Sequence, residues 1–274
     1  MTDLIVPARF CGPPSSGNGG WSAGAIAALV GDDCPAPSTG SGHRDHARPW
    51  PTVTVSLLAP PPLDTPMTVD PDESGGDAAH PGLVASYDGR PVLRARCTHH
   101  DPGALEPVEP VDPETARAAT ASYHGLGSHP FPTCFACGTG RDEGDGLRIF
   151  PGRVADQGDR ARVAATWTPD PSVTEDFHSY ADGRPRASLP ITWAALDCVG
   201  GWAGDLEDRL MVLARMTARI DSLPEIGEEH VVVGLGRGRK GRKAWTSATL
   251  YDADGRVVGT AEHLWVEVDP ADFA

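Results

Sequence analysis

An internal repeat is the sequence feature that most restricts the fold of this chain. In each half, a stretch of small and apolar residues precedes a β-branched strand, a proline stop and strands that include an Asp-Gly turn. The turn at Asp88-Gly89 recurs 166 residues later at Asp254-Gly255, and Thr54 of the first strand corresponds to Thr217, 163 residues later. Such near-constant offsets indicate a duplication.

The repeated order of elements predicts the fold class. We predict a buried helix over residues 20–30, because this stretch is small and apolar on all sides, and a second helix over residues 191–203. The predicted strands are residues 52–58, 82–87, 91–98, 146–154, 160–167 and 211–220, with two more from Val231 onward. A helix followed by antiparallel strands, twice over, predicts an α+β protein in which each sheet wraps around its own central helix.

The two predicted halves are unequal in length. The strands at residues 146–154 and 160–167 precede the second helix and have no counterpart before the first. We place the division after the Pro/Glu-rich stretch 106–114, which gives halves of residues 1–122 and 123–274. Residues 34–48 are rich in Pro, Ser, Gly and His without an apolar period, which predicts a loop.

Charge and hydropathy exclude several classes of function. The 274 residues include 38 acidic and 23 basic side chains, a formal net charge of -15, which disfavours nucleic acid as the main partner. No apolar run approaches the ~20 residues that span a bilayer. The first residues lack the basic and apolar regions of a signal peptide, so we expect a soluble, cytoplasmic protein with no membrane partner.

Three local patterns resemble one known family. They are Gly17-Asn18-Gly19-Gly20 before the first helix, Cys134-Phe135-Ala136-Cys137-Gly138 followed by Asp145-Gly146-Leu147, and the run from Val231 through the Arg-Gly-Arg strand to Val258. Together with the element order, they resemble the double-hotdog acyl-CoA thioesterases, in which Asn18 stands where histidine is common. The resemblance implies a tandem hotdog fold and hydrolysis of an acyl-CoA or acyl-carrier thioester.

Asp197 is the candidate catalytic acid. It is a lone carboxylate among apolar and small residues of the second helix, where burial raises a pKa and favours a general base, unless the side chain faces solvent. The resemblance implies that an acid here acts as base or nucleophile, nine residues after the helix-start residue. Nine residues after Asn18 is Ala27, and nine before Asp197 is Ser188, so neither half is complete. The resemblance therefore implies one composite site between the halves.

The first helix is predicted to supply the other half of that site. Backbone N–H groups at Gly19 and Gly20 are expected to polarise a thioester carbonyl, since a helix N-terminus carries partial positive charge. Asn18 is either an additional donor or a plain N-cap. Thr217, with Thr54, either orients the attacking water or is an ordinary strand threonine.

The one basic cluster of the sequence is the candidate site for coenzyme A phosphates. It comprises Arg237, Arg239, Lys240, Arg242 and Lys243. Five positive charges within seven residues could bind phosphate, or they could form a solvated hairpin face. The expected partner is the acyl thioester itself, and further pairing into a homo-oligomer stays open.

We expect no metal and no cofactor other than coenzyme A as part of the substrate. Cys134 and Cys137 alone would be half a zinc site, but the spacing to Cys97-Thr98-His99-His100 gives little support for the other half. Two alternative functions are a non-catalytic acyl- or ligand-binding protein and, with weaker support, an enoyl-thioester hydratase. Serine hydrolase chemistry is disfavoured because no Gly-x-Ser-x-Gly motif occurs.

Overall fold

The computed structural model describes residues 2–30, 50–72, 74, 82–98, 105–175, 182–269 and 271. The loop predicted at residues 34–48 lies outside these ranges. The strands and α-helices are β1 (Thr2–Leu4), α1 (Gly19–Val30), β2 (Val53–Leu57), β3 (Met67–Asp72), β4 (Gly82–Tyr87), β5 (Arg90–Cys97), α2 (Pro113–Ala119), β6 (Gly152–Gln157), β7 (Arg160–Trp167), α3 (Leu189–Ala203), β8 (Met211–Ile220), β9 (His230–Lys240), β10 (Lys243–Tyr251) and β11 (Val257–Glu267). None of the described helices is long and apolar enough to cross a bilayer.

The strands form one antiparallel sheet with a mirrored order. The order is β1-β3-β4-β5-β2-β8-β11-β10-β9-β7-β6. Outward from the central β2–β8 pair, the strands that follow α1 and the strands that follow α3 occur in the same succession. The strand after each helix thus lies at the centre of the sheet, and the chain is an α+β protein as predicted.

The central pair of strands brings corresponding residues of the repeat together. Thr54 on β2 is the register partner of Thr217 on β8, and their hydroxyl oxygens are 2.8 Å apart. Thr54 also lies 2.6 Å from the hydroxyl of Thr98. The neighbours Met216 and Ala218 are buried in the core, so alternation along the strand directs Thr217 to the other face of the sheet.

Both central helices are buried, which the sequence predicted for the first. Nine of the 12 residues of α1 and 14 of the 15 residues of α3 are buried. The helices pack closely because α1 has glycine where α3 approaches. A Cβ atom on Gly24 would lie 2.7 Å from Pro190 Cα and 2.8 Å from Trp193 Cβ.

Several elements differ from the sequence prediction. Three strands rather than two follow residue 230, and the strand predicted from residue 146 begins at Gly152. β1, β3 and α2 were not predicted. The short helix α2 packs against β6 and β7, although the predicted division at residue 122 placed it in the first half; that division stays a prediction.

The Gly24 contact gives a test of the helix packing. Gly24→Ala should lower the free energy of unfolding by about 1–3 kcal/mol through overpacking, although alanine favours helices by about 1 kcal/mol over glycine. Urea denaturation measures the change. Gly127→Ala is the control, because its nearest neighbour would be 3.7 Å away and its φ of -93° suits alanine. Equal effects of the two substitutions would contradict the tight packing.

Candidate active site

Asn18 caps helix α1 and also contacts the opposite helix. Its side-chain oxygen accepts a hydrogen bond from the Trp21 N–H at 2.8 Å, the usual N-cap contact with the third helical residue. Its Nδ2 donates to Oδ2 of Asp197 at 3.0 Å. One buried amide therefore caps the start of the first helix and orients the carboxylate of the second. The N-cap role left open by the sequence is present, and the side-chain donor is directed at Asp197.

Asp197 is buried at the N-terminus of α1. Its Oδ2 accepts a second hydrogen bond from the Gly20 N–H at 2.9 Å, while Oδ1 has no partner within the described part of the chain. Burial raises the pKa of the Asp197 carboxyl to about 7, and the hydrogen bonds from Gly20 and Asn18 oppose the rise because they stabilise the ionised form. The carboxyl can therefore exchange a proton near neutral pH.

Gly20 permits the contact between the two helices. A Cβ atom there would lie 2.5 Å from Asp197 Cβ and 2.8 Å from the Trp193 carbonyl oxygen. Because the Gly20 N–H already donates to Asp197, it does not face a substrate carbonyl as we expected from the sequence. Gly19 lines the adjoining cavity, and its N–H has no acceptor among the described residues.

The cavity beside Asp197 has a volume of about 510 Å³. Asn18, Gly19 and Asp197 form one part of its wall. The rest is mostly apolar and includes the end of β2 and the loop after it, the start of β8 and the end of β11, with Leu57, Leu213, Trp265 and Val266. Residues from the segments 12–17 and 129–137 and Cys198 of α3 complete the wall. A volume of this size accommodates a small-molecule group, and the wall favours an apolar one.

Thr217 does not belong to this site. It does not line the cavity, and its hydroxyl bonds to Thr54 on the other face of the sheet from the core residues. Of the two roles that the sequence left open for Thr217, this geometry agrees with that of an ordinary strand threonine and not with orientation of the water. Its structural role is the hydrogen bond that joins β2 to β8.

The basic cluster lies at the β9–β10 hairpin, at the cavity end of the sheet. Lys243 is the register partner of Val266, which lines the cavity. Arg237 donates to Ser247, Arg239 lies 3.8 Å from Asp205, and Arg242 donates to the Glu267 carbonyl. Lys240 and Lys243 are exposed and bond to no other side chain among the residues described. These two lysines are therefore available for a phosphate.

A cysteine cluster adjoins Asp197. Cys134 and Cys137 meet Cys198, the residue after Asp197, and not Cys97; His99 and His100 lie outside the described residues. The pKa of the Cys134 thiol lies well below its usual value because Cys137 and Cys198 donate to it. Burial raises the pKa of Cys137, and donation to Cys134 raises the pKa of Cys198. Cys198 was missed in the sequence, although its position after the candidate acid was a usable signal.

Solved structures with very different sequences have the same fold. A hot dog fold protein of unknown function from Alicyclobacillus acidocaldarius is 14% identical, with 98% of this chain and 92% of that chain covered and a TM-score of 0.56. A candidate thioesterase from Novosphingobium aromaticivorans is 14% identical, with 97% and 95% covered and a TM-score of 0.57. Acyl-CoA thioesterase II TesB2 from Mycobacterium marinum is 9% identical, with 92% and 91% covered and a TM-score of 0.50.

These likenesses show that the chain has a hotdog fold, which confirms that part of the prediction. No protein-family model and no curated protein matches the chain.

Two helix caps test the double role of Asn18. Asn18→Ala removes the cap and also one donor from a buried carboxylate, so it should lower the free energy of unfolding by about 2–4 kcal/mol. Asp112 is the matched control, because its side chain accepts from the Thr115 N–H of α2 at the same 2.8 Å but touches no second helix. Asp112→Ala should cost about 1 kcal/mol. Equal losses in urea denaturation would show that the Asn18–Asp197 contact adds nothing.

Proposed function

We propose that this chain is a tandem hotdog duplication that hydrolyses acyl thioesters at one composite site. The observation that carries the proposal is the position of Asp197. Its carboxylate, on one central helix, lies at the N-terminus of the other helix and borders an apolar cavity. The names of two structural neighbours as thioesterases agree with this function.

In this proposal, the apolar cavity and the start of helix α1 position the substrate. The acyl group occupies the apolar cavity, and the thioester carbonyl oxygen approaches the Gly19 N–H. That donor stands at the positive end of the α1 dipole, so it stabilises the negative charge that develops on the oxygen during attack. Glycine fits at position 19 because a Cβ atom there would lie 2.9 Å from Leu213 Cβ, which lines the same cavity.

Asp197 acts through Oδ1, a buried oxygen that has no hydrogen-bond partner in the described chain. As a general base it takes a proton from a water molecule, and the water oxygen forms a bond to the thioester carbon. The tetrahedral intermediate then expels the sulfur, which leaves as a thiol after receiving the proton, and the acyl group leaves as a carboxylic acid. Direct attack by the carboxylate is the nucleophilic variant of the same proposal.

The basic hairpin supplies the site for the carrier. Lys240 and Lys243 project from the end of the sheet that adjoins the cavity, so an acyl chain inside the cavity would leave its carrier near them. Phosphates of coenzyme A are the complementary charge. The carrier is therefore proposed to be coenzyme A.

Substitution of Asp197 tests the reaction and the site together. Thiol release from short, medium, long and aromatic acyl-CoAs should be measurable with the wild type and should fall at least ~100-fold in Asp197→Asn, as expected for loss of a general base. Glu262→Gln is the control, since Glu262 is an exposed carboxylate on β11. Its rates should equal those of the wild type.

The other outcomes separate the alternatives. Binding of acyl-CoA without thiol release would indicate a non-catalytic binding protein. Hydration of a crotonyl-type thioester without thiol release would indicate a hydratase. Equal thiol release from the wild type and Asp197→Asn would leave a thioesterase but would exclude Asp197 as its base.

A second experiment tests the carrier site. The double variant Lys240→Ala/Lys243→Ala should raise KM for an acyl-CoA about three- to tenfold, because each exposed charge pair contributes up to ~1 kcal/mol. KM for the acyl-N-acetylcysteamine thioester, which has no phosphate, should not change. The control Arg90→Ala/Arg160→Ala removes two exposed charges that do not line the cavity. An equal KM increase with both thioesters would contradict phosphate binding by the lysines.

A further inference from the structure

Three cysteine thiols meet at the cavity wall, and the proposed hydrolysis uses none of them. The Sγ atoms of Cys134 and Cys198 are 3.7 Å apart, and those of Cys134, Cys137 and Cys198 all lie within 4.8 Å of one another. All three residues are at most 8% exposed. Each also lines the cavity. The cluster is therefore enclosed by protein on one side and open to the cavity on the other.

Two elements fix the three sulfur atoms. Cys134 and Cys137 lie in a tight turn in which the Gly138 N–H donates to the Cys134 carbonyl at 2.8 Å. A Cβ atom on Gly138 would lie 2.5 Å from that carbonyl oxygen, so the turn requires glycine. Cys198 comes from the buried helix α3. A Cys-x-x-Cys turn that faces a third cysteine on a separate rigid element is an arrangement typical of metal sites.

The sulfur spacing matches zinc better than a disulfide. A tetrahedral zinc ion with Zn–S bonds of ~2.3 Å places its sulfur ligands about 3.8 Å apart, and the Cys134–Cys198 separation is 3.7 Å. A disulfide needs about 2.05 Å and would leave the third sulfur without a partner. We propose that Cys134, Cys137 and Cys198 bind one zinc ion as thiolates.

The surroundings of the cluster favour a cation. Its polar neighbours include Asn18 Nδ2, 3.8 Å from both Cys134 Sγ and Cys198 Sγ, Asp197 Oδ2, 4.0 Å from Cys198 Sγ, and His129 Nε2, 3.4 Å from Cys137 Sγ. Within the described ranges, no lysine or arginine side chain bonds to these three sulfur atoms. A divalent ion would balance the charge of thiolates that lie beside a buried carboxylate.

His129 is not the fourth ligand, although its Nε2 lies 3.4 Å from Cys137 Sγ. Its Nδ1 accepts from the Phe131 N–H at 2.9 Å, so a neutral ring carries its proton on Nε2, which donates to the Cys137 carbonyl at 3.1 Å. Neither nitrogen then offers a lone pair to a metal. The fourth position of the ion therefore faces the cavity, where a water molecule or a small ligand takes it.

Metal analysis of the intact protein tests this proposal without any measurement of activity. When the full chain is expressed with zinc in the medium, elemental mass spectrometry should find one zinc ion per chain. Replacement by Co²⁺ should give thiolate-to-cobalt charge-transfer absorption and the visible bands of tetrahedral coordination. A chelator should lower the melting temperature of the wild type, because the ion binds the folded chain.

Matched cysteine variants locate the ion. Cys137→Ser and Cys198→Ser should weaken zinc binding at least ~100-fold, which is the upper effect of losing only a supporting contact. Cys11→Ser should retain full zinc, since Cys11 is also buried but bonds to Thr133 and Arg141 outside the cluster. Three results would overturn the proposal: wild type without zinc, zinc retained in Cys137→Ser and Cys198→Ser, or a Cys134–Cys198 disulfide in the wild type as purified from zinc-supplemented medium. None of these depends on whether the protein hydrolyses thioesters.

Discussion

The hydrogen bond from the Gly20 N–H to the Asp197 carboxylate is the contact on which the rest of the site depends. It joins the N-terminus of one buried helix to the middle of the other. The helices approach so closely at this point that position 20 has no room for a Cβ atom. The helix dipole and the two donors compensate in part for the cost of burying a carboxylate. The same contact directs Oδ2 toward the protein and leaves Oδ1 without a partner among the described residues. One contact therefore determines both how the two central helices pack and how the Asp197 carboxylate is oriented.

The mirrored fold does not produce a mirrored site, and the helix starts explain why. Gly20 is the second residue of α1, and the second residue of α3 is Pro190, which has no N–H to donate. Ser188, which precedes α3, makes no side-chain capping bond. In the second helix, Asp197 lies nine residues after Ser188. The corresponding residue of the first helix, nine residues after Asn18, is Ala27. The mirrored position, where the start of α3 would face the middle of α1, thus lacks both the backbone N–H donor and the carboxylate.

Local sequence signals predicted the parts of this fold that local physics determines. The strand at residues 82–87, the strand at 211–220 and the Asp88-Gly89 turn follow from alternation and from residues that tolerate positive φ, which both turn residues adopt. β3 escaped prediction because it contains Asp70 and Pro71, which strands disfavour. The proximity of Cys198 to Cys134 and Cys137 depends on how α3 packs, and the sheet face on which Thr217 lies depends on how β8 packs. Spacing along the chain does not encode either.

Asparagine at position 18 bears on which residue would transfer protons in the proposed hydrolysis. A histidine at a helix start can both donate a hydrogen bond and accept a proton, so it would compete with a nearby carboxylate as the base. The Asn18 amide neither transfers a proton nor titrates, and its oxygen already accepts a hydrogen bond from the Trp21 N–H. Its Nδ2 therefore remains a donor to Asp197 at every pH. Under the proposed hydrolysis, proton transfer falls to Asp197, and Asn18 is a positioning residue that also caps helix α1.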